Sequence, residues 1–365
     1  MRIFHAVSPI PEATLTKSQI WTYNLKLPLE DLGHELVVFE WDYADAINFL
    51  DPSIAAHQQS IKQNRTRLSE ELLRQVKAAH STQPLDLFFS YFFSPNVEAD
   101  AIREIGKLGI VTVNWYCNAS YQFHLVSEIA PAFNYCLVPE KFRLDDYRRI
   151  GANPIYCQEA ANPNIYHPYA VPMEYDVTFV GQRYGTRPQY LRYLLDHGID
   201  VRAWGPGWTD PRPNYPLWRR AGSRVKRTLM GLLGAPSPVF PRDRCSPALS
   251  DEDMIKMYSR SKVSLGFTTV ADRSGIKQVR LRDFEAPMSG AFYMVEAFDE
   301  LSEFFEPDRE VVMFDSFAEL NDKARYYLTH DSEREAIRQA GMRRARSEHT
   351  WHKRFEMVFR EMGLR

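Results

Sequence analysis

Two stretches in the second half of this 365-residue chain combine residue types suited to phosphate and to sugar hydroxyls. The first reads Val180-Gly181-Gln182-Arg183-Tyr184-Gly185-Thr186-Arg187-Pro188. Gly181 and Gly185 let a backbone come close to a ligand. A helix is expected to start here, with Thr186 as its cap and Pro188 in its first turn. A helix N-terminus attracts anions, and Arg183 and Arg187 strengthen it for phosphate. An ordinary strand-to-helix turn with two solvated arginines has the same spelling. The second stretch reads Arg280-Leu281-Arg282-Asp283-Phe284-Glu285-Ala286-Pro287-Met288-Ser289-Gly290. Glu285 falls inside a helical pattern among apolar neighbours, and a buried carboxylate is costly unless it is paired or hydrogen-bonded. Two adjacent ribose hydroxyls would satisfy it. So would Arg282, one turn earlier, and the pattern leaves both open.

Metal chemistry has weaker support. Asp251-Glu252-Asp253 spells an Asp-x-Asp metal site but follows Ser250 at an expected helix start, so these read as capping and helix-dipole acids. His349 and His352 are three apart on an expected helix without an evident third ligand, which favours surface and packing roles. Cys117, Cys136, Cys157 and Cys245 form no C-x-x-C pair, so structural zinc is not expected and a reducing compartment is the simple reading.

These residues must be positioned by elements whose hydrophobic period alternates between 2 and 3.6. Strands are expected at 3–7, 35–41, 85–93, 110–116, 135–138 and 154–158, with helices at 17–32, 53–80, 96–107 and 141–150 between them. The Pro- and Asn-rich segment 160–172 reads as a linker, after which the pattern restarts. Strands at 176–181, 201–204, 262–267, 291–295 and 310–314 alternate with helices at 188–197, 251–259, 281–289 and 298–305, and helices run on to the C-terminus. Strand–helix alternation is the signature of parallel sheets covered on both faces. The expected division is therefore 1–165; 173–345, with a basic insertion at 209–245; and a terminal helix, 346–365.

From 176 onward the chain resembles the C-terminal half of GT-B glycosyltransferases, and most closely the spore-maturation, CgeB-like group. The resemblance is carried by DVTFVGQR, VRAWGPGW, MYSRSKVSLGF, LRDFEAPMSGAFYMVEAFDELSEFFEPDREVVMF and HTWHKR, and AANPNIYHP is similar to that family's linker. It implies an α/β fold of two Rossmann-like, doubly wound domains facing a cleft, with 1–165 on the acceptor side, 173–345 on the donor side and the terminal helix 346–365 crossing back to the first domain. It further implies transfer of a sugar from a nucleotide-diphosphate donor, UDP- or GDP-linked, to an acceptor hydroxyl, with no metal or other cofactor. Glu285 matches the second glutamate of the family's E-x7-E pattern, which binds ribose. The first glutamate is replaced by Lys277, so the pattern is broken there, and Lys277 or Arg280 would instead neutralise the leaving diphosphate. Arg187, and less closely Arg183, match the phosphate loop through their spacing from Gly181. Arg282 belongs to the same donor-side motif. Trp204 and Gly205 fall where the base-binding loop tends to be. An inverting reaction needs a general base in the first half. His5, His124 and Glu128 are candidates, and Asn118 stands where related sequences often carry an acid. A nucleotide-sugar epimerase and a non-catalytic sugar-nucleotide or glycan-binding protein are the alternatives, the latter favoured by Lys277.

Composition bounds the partners. Lys and Arg total 45 against 47 Asp and Glu, a net charge of −2 that argues against a wholly basic nucleic-acid coat. The N-terminal apolar run is too short for a signal peptide, and no stretch of 18 apolar residues occurs, so a cytoplasmic location is expected. Residues 212–244 carry eight basic residues and one acid. Within them, 217–233 reads as an interfacial helix on an anionic membrane, as a lid for an anionic glycan or nucleic acid, or as a solvated helix packed across the cleft. The acceptor stays open among glycan, lipid, protein and small molecule.

Overall fold

The computed structural model describes residues 1–8, 18–42, 53–209, 239–270 and 273–364. They divide into two compact units, residues 1–165 with 349–365, and residues 166–348.

In the first unit, β1 (Arg2–Ala6), β2 (Glu35–Val38), β3 (Leu87–Ser90), β4 (Val111–Trp115), β5 (Tyr135–Val138) and β6 (Pro154–Tyr156) form one parallel sheet in the order β2-β1-β3-β4-β5-β6. Alternate side chains of its central strands enter opposite layers. Phe4, Ala6 and Phe88 go to one, Ile3, Leu87 and Phe89 to the other. This is why the run 85–93 shows no polar alternation. The strand nevertheless stops at Ser90, because the Asn114 side chain replaces the sheet partner. It accepts from Phe92 N–H at 2.8 Å and donates to Phe92 C=O at 3.0 Å. Helices Gln58–Thr82 and Ala99–Lys107 close the first layer. The second is closed partly by the terminal helix Trp351–Glu361, through Trp351, Phe355, Val358 and Phe359. At roughly 1.5–3 kcal/mol per large apolar side chain, these four contribute about 6–12 kcal/mol as an upper estimate, enough to tie the last helix to the first unit.

In the second unit, β7 (Tyr175–Val180), β8 (Val201–Trp204), β9 (Cys245–Ser246), β10 (Ser261–Gly266), β13 (Tyr293–Glu296) and β14 (Val312–Phe314) are also parallel, in the order β14-β13-β10-β7-β8-β9. The chain builds outward from β7 to β9, then crosses to β10 on the other side of β7 and builds outward again. Strand order therefore reverses between β7 and β10. In open α/β sheets the ligand crevice lies beyond the carboxyl ends of the strands at such a reversal.

Besides the shortened β3, three further segments differ from the sequence expectation, the first being β9, which falls where no strand was expected. Residues 268–280, read as a loop, contain an antiparallel hairpin of β11 (Thr269–Val270) and β12 (Arg273–Lys277). The expected helix at 298–305 is a 3₁₀ turn, Asp299–Glu303. Most of the basic insertion, including all of 217–233, lies outside the described residues. Among the described residues no helix is long and apolar enough to cross a membrane.

Candidate functional site

The carboxyl ends of β7 and β10 bring the two sequence stretches together. The loop after β7 is stitched to the turn after β8: Gly181 N–H donates to Trp204 C=O at 2.8 Å and Arg183 N–H to Pro206 C=O at 2.9 Å. The indole N–H of Trp208 donates to Gly181 C=O at 2.7 Å. Gly205 has φ +140°, and a Cβ there would lie 2.3 Å from the Gly181 carbonyl oxygen. Its missing side chain makes room for protein backbone rather than for a ligand. Trp204 is buried against Tyr175, ring centroids 5.2 Å apart, and beside Met257. Neither residue offers an open face to a nucleotide base, contrary to the expectation for this turn. Arg183 is exposed and forms no ion pair among the described residues.

Arg187 opens the helix Arg187–Asp196, as expected, with Pro188 following it. The side chain is not solvated, however. The residue is 7% exposed, with its guanidinium carbon 3.7 Å from the Tyr184 ring centroid, 5.2 Å from that of Phe179 and 5.8 Å from that of Phe267. It donates from Nη1 to Gln182 C=O at 2.9 Å and from Nη2 to the Tyr184 hydroxyl at 2.5 Å, while the buried Nε has no partner. No carboxylate pairs with it among the described residues. Burial pushes this guanidinium down to about 10; Tyr184 opposes the shift, and the nearby charges of Arg280 and Arg282 add to it.

The second stretch forms the short helix Arg282–Met288. Here the structure selects the ion pair. Arg282 Nε lies 3.2 Å from Glu285 Oε1, and Tyr258 bridges the two, accepting from Arg282 at 2.6 Å and donating to Glu285 at 3.2 Å. Glu285 is 1% exposed, and these contacts all fall on Oε1. Burial raises its carboxyl above the ordinary value, while Arg282 and the hydroxyls of Tyr258 and Tyr166 pull it back. Asp283 faces the other way. It accepts from Tyr293 Oη at 2.7 Å and from Arg280 N–H at 2.8 Å, and burial pushes it up to about 6. Tyr293 Oη lies against Gly266, where a Cβ would come within 1.9 Å of it.

Lys277 ends the hairpin. Its ammonium donates to Ala297 C=O at 2.6 Å and lies 3.6 Å from Glu296 Oε1. Glu296, at the carboxyl end of β13, is the residue the sequence reading missed. Its carboxylate accepts from Thr268 N–H at 3.1 Å, Thr269 N–H at 2.9 Å and Thr269 Oγ1 at 2.6 Å. Thr269 C=O in turn accepts from Arg280 at 3.4 Å, whose buried Nε is unpartnered. Thus Glu296 clamps the loop between Phe267, which covers Arg187, and Arg280. An acid ending the apolar run FYMVEAF was the available signal.

The first-unit candidates do not converge in the same way. His5 lies within β1, 3% exposed, its Nε2 3.3 Å from Leu25 C=O; burial pushes it down to about 4. A proton acceptor sealed in the core cannot meet an acceptor hydroxyl, so His5 is removed from the base candidates. Asn118 heads the turn Ala119–Gln122 and accepts from the Tyr121 hydroxyl at 3.3 Å. His124 is exposed in the turn Phe123–Leu125. Glu128 is held bidentately by Arg65 at 2.7 and 3.2 Å. Ser250 caps its helix by accepting from Asp253 N–H at 3.1 Å, and Glu252 pairs with Lys256, so this acidic run serves the helix. His349 is buried ahead of the terminal helix and His352 pairs with Asp31 at 2.9 Å. Among the described residues no group of three or more His, Cys, Asp or Glu is placed to hold a metal.

Comparison with known proteins agrees with this architecture. Residues 187–360 match the glycosyl transferase-like family model. No curated protein matches the sequence. Among solved structures, an alpha-glucosyltransferase in complex with UDP-glucose and DNA containing an abasic site has a TM-score of 0.65 at 9% identity, covering 100% of this chain and 99% of that one. Sucrose-phosphate synthase from Thermosynechococcus elongatus has a TM-score of 0.62 at 13% identity, with the same coverage. HepE from Anabaena, in complex with UDP-glucose, has a TM-score of 0.57 at 11% identity, covering 99% of each chain. At these identities the structures speak to fold alone, while the family model covers just under half of the chain, the part that holds Arg187, Lys277 and Glu285. The chain has the GT-B fold of these structures, and its residues 187–360 are similar to a glycosyl transferase-like family.

Proposed function

We propose that the protein transfers a sugar from a nucleoside-diphosphate sugar to an acceptor hydroxyl, with the diphosphate held at the β7/β10 switch point by Arg187 and Arg280. The observation that carries this reading is a buried guanidinium with no carboxylate partner among the described residues, placed where the topology puts the ligand crevice. A buried charge is tolerated when it is paired, and an anionic ligand supplies the pair. HepE is crystallised with UDP-glucose, which makes a UDP-linked donor the first to try.

The bond between the anomeric carbon and the diphosphate oxygen breaks, and its electron pair leaves on the nucleoside diphosphate. The acceptor oxygen forms the new bond and gives up its proton to a base, for which exposed His124 remains a candidate. Guanidiniums fixed before reaction stabilise the growing phosphate charge without reorganisation, and no metal is required for this step. Arg280 lies within the same clamp, Lys277 carries a charge at its rim, and Glu285 serves the site by holding Arg282 and Tyr258. An Arg187→Ala variant should bind UDP about ten- to a hundredfold more weakly and uridine unchanged, the loss of a hydrogen-bonded charge. Equal losses for both, by calorimetry, would refute a diphosphate contact. Steady release of UDP from UDP-glucose with an acceptor present separates an enzyme from a binding protein, the reading that Lys277 in place of a glutamate favours.

A further inference from the structure

Although no acid among the described residues pairs with Arg187, both of its terminal nitrogens already donate a hydrogen bond. Nη2 donates to the hydroxyl of Tyr184, Nη1 to the carbonyl of Gln182, and both partners come from the loop leaving β7. They are neutral acceptors, set where an anion's oxygens would be bound. The remaining cover, Phe179 and Phe267, is core and buried, whereas Tyr184 is partly exposed. The Tyr184 side chain is thus the part of the cover that lies between the guanidinium and solvent.

The loop around it is anchored on both sides. Arg183 N–H donates to Pro206 C=O at 2.9 Å, and Arg187 N–H donates to Tyr184 C=O at 3.3 Å. The tyrosine ring can therefore turn about its own side-chain torsions while the backbone stays put. Gly185 beside it, at φ +55° with open space at its Cβ position, puts no side chain in the way.

We propose that Tyr184 is a displaceable plug of the anion pocket: its hydroxyl holds the Arg187 guanidinium until a pyrophosphate oxygen takes over that hydrogen bond. Tyr184 then acts as a specificity residue for the donor. An incoming anion must outcompete a short hydrogen bond and a stacked ring. A pyrophosphate does so because its oxygens carry full negative charge toward the guanidinium, where the phenol is neutral, and because a second oxygen reaches toward Arg280. A weakly basic monoanion gains too little. The inference rests on the diphosphate reading given above.

The test uses the full chain and probes that need no knowledge of the base, inorganic pyrophosphate and chloride, with UDP alongside. Tyr184→Phe keeps the ring and removes the hydroxyl. It should lower the melting temperature of the ligand-free protein, since Arg187 loses a partner. It should bind pyrophosphate about five- to tenfold more tightly, since the competitor is gone. Chloride should gain as well, narrowing the discrimination between the two. Tyr184→Ala, which removes the stacked ring too, should shift pyrophosphate affinity in the same direction. A residue that merely supports the fold would lower both stability and affinity. Unchanged or weaker pyrophosphate binding in Tyr184→Phe, with Arg187→Ala still weakening it, overturns the plug alone. Unchanged pyrophosphate binding in Arg187→Ala overturns the plug and the diphosphate reading together.

Discussion

Replacing Glu296 by alanine separates two explanations of why Lys277 and Glu296 sit together. One is that they form a stabilising ion pair. The other is that Glu296 clamps the loop after β10 and Lys277 is a minor addition. The distances favour the clamp. Three donors lie 2.6–3.1 Å from the carboxylate, whereas the ammonium is 3.6 Å away on a side chain that is 32% exposed. Alanine strands two backbone N–H groups, at about 1–3 kcal/mol each, so the loss of stability should be roughly 2–6 kcal/mol. Lys277→Met removes a partly solvated pair and the hydrogen bond to Ala297 C=O, and should cost about 1–2 kcal/mol. The double variant should then show a coupling below about 1 kcal/mol. Glu296→Gln keeps one acceptor oxygen and should fall between. Equilibrium urea unfolding reads all four, and calorimetry with UDP reads whether the clamp supports Arg280. If Lys277→Met proves as damaging as Glu296→Ala, or the coupling exceeds about 2 kcal/mol, the ion pair outweighs the loop contacts and Glu296 is not a clamp.

Other expectations follow from the same contacts. Gly205→Ala drives a Cβ into the Gly181 carbonyl and should destabilise by about 2–5 kcal/mol, whereas Gly185→Ala meets open space and should cost only the backbone strain, about 1 kcal/mol; chemical denaturation compares them. Asp283 is raised from 3.8 to about 6, so its protonated form is favoured in the folded state. Its contribution is fully present below pH 4 and is lost as pH rises through 6, by about 3 kcal/mol. Asp283→Asn should therefore flatten the stability profile between pH 4 and 6, and a profile parallel to wild type would contradict the assignment. His5→Phe should leave donor turnover intact, because a core histidine lowered to about 4 is neutral and sealed off; loss of turnover without loss of stability would return it to the catalytic list.

Much of the architecture was legible because buried parallel strands write themselves as apolar runs and helices as period-3.6 patterns. The runs 135–138 and 201–204 have the same limits in sequence and structure, since turn residues bound them closely. Asn114 shortens β3 through a contact 22 residues away, which no local pattern records. The hairpin 269–277 was missed because its strands are short, polar and stabilised from outside by Glu296. For the site, position was legible and exposure was not. Arg187 does open a helix at a strand end, yet part of its cover comes from Phe267, a residue of another strand's loop. Glu285 presented two readings of equal weight, and only the placement of Tyr258 from a separate helix decided for the ion pair. Gly205 was legible as a special backbone position, but its neighbour turned out to be Gly181 rather than a ligand.

The charge of the site is what connects these parts. Three guanidiniums, Arg187, Arg280 and Arg282, act on one another near the switch point, against two acids of the same cluster, Asp283 and Glu285. Glu285 pairs with Arg282, and Asp283 is engaged by Tyr293 and by the backbone of Arg280. With both acids charged the guanidiniums still outnumber them by one, and burial raises both carboxyls above their ordinary values. Arg187 is the buried member of the three, and on the proposed reading an anion would pair its charge. Aromatic rings rather than carboxylates line Arg187, and this keeps it available: a resident carboxylate would compete with phosphate as a full charge, whereas rings and a phenol stabilise the cation weakly and yield. If the proposed diphosphate reading holds, the cost of burying Arg187 in the empty protein should return as affinity for the ligand. Anions should accordingly raise the melting temperature, with pyrophosphate ahead of sulfate at equal ionic strength, and Arg187→Ala should abolish the difference between them. Equal stabilisation by both anions in the unmodified protein would mean that general screening is at work, and that no pocket at the switch point recognises a diphosphate.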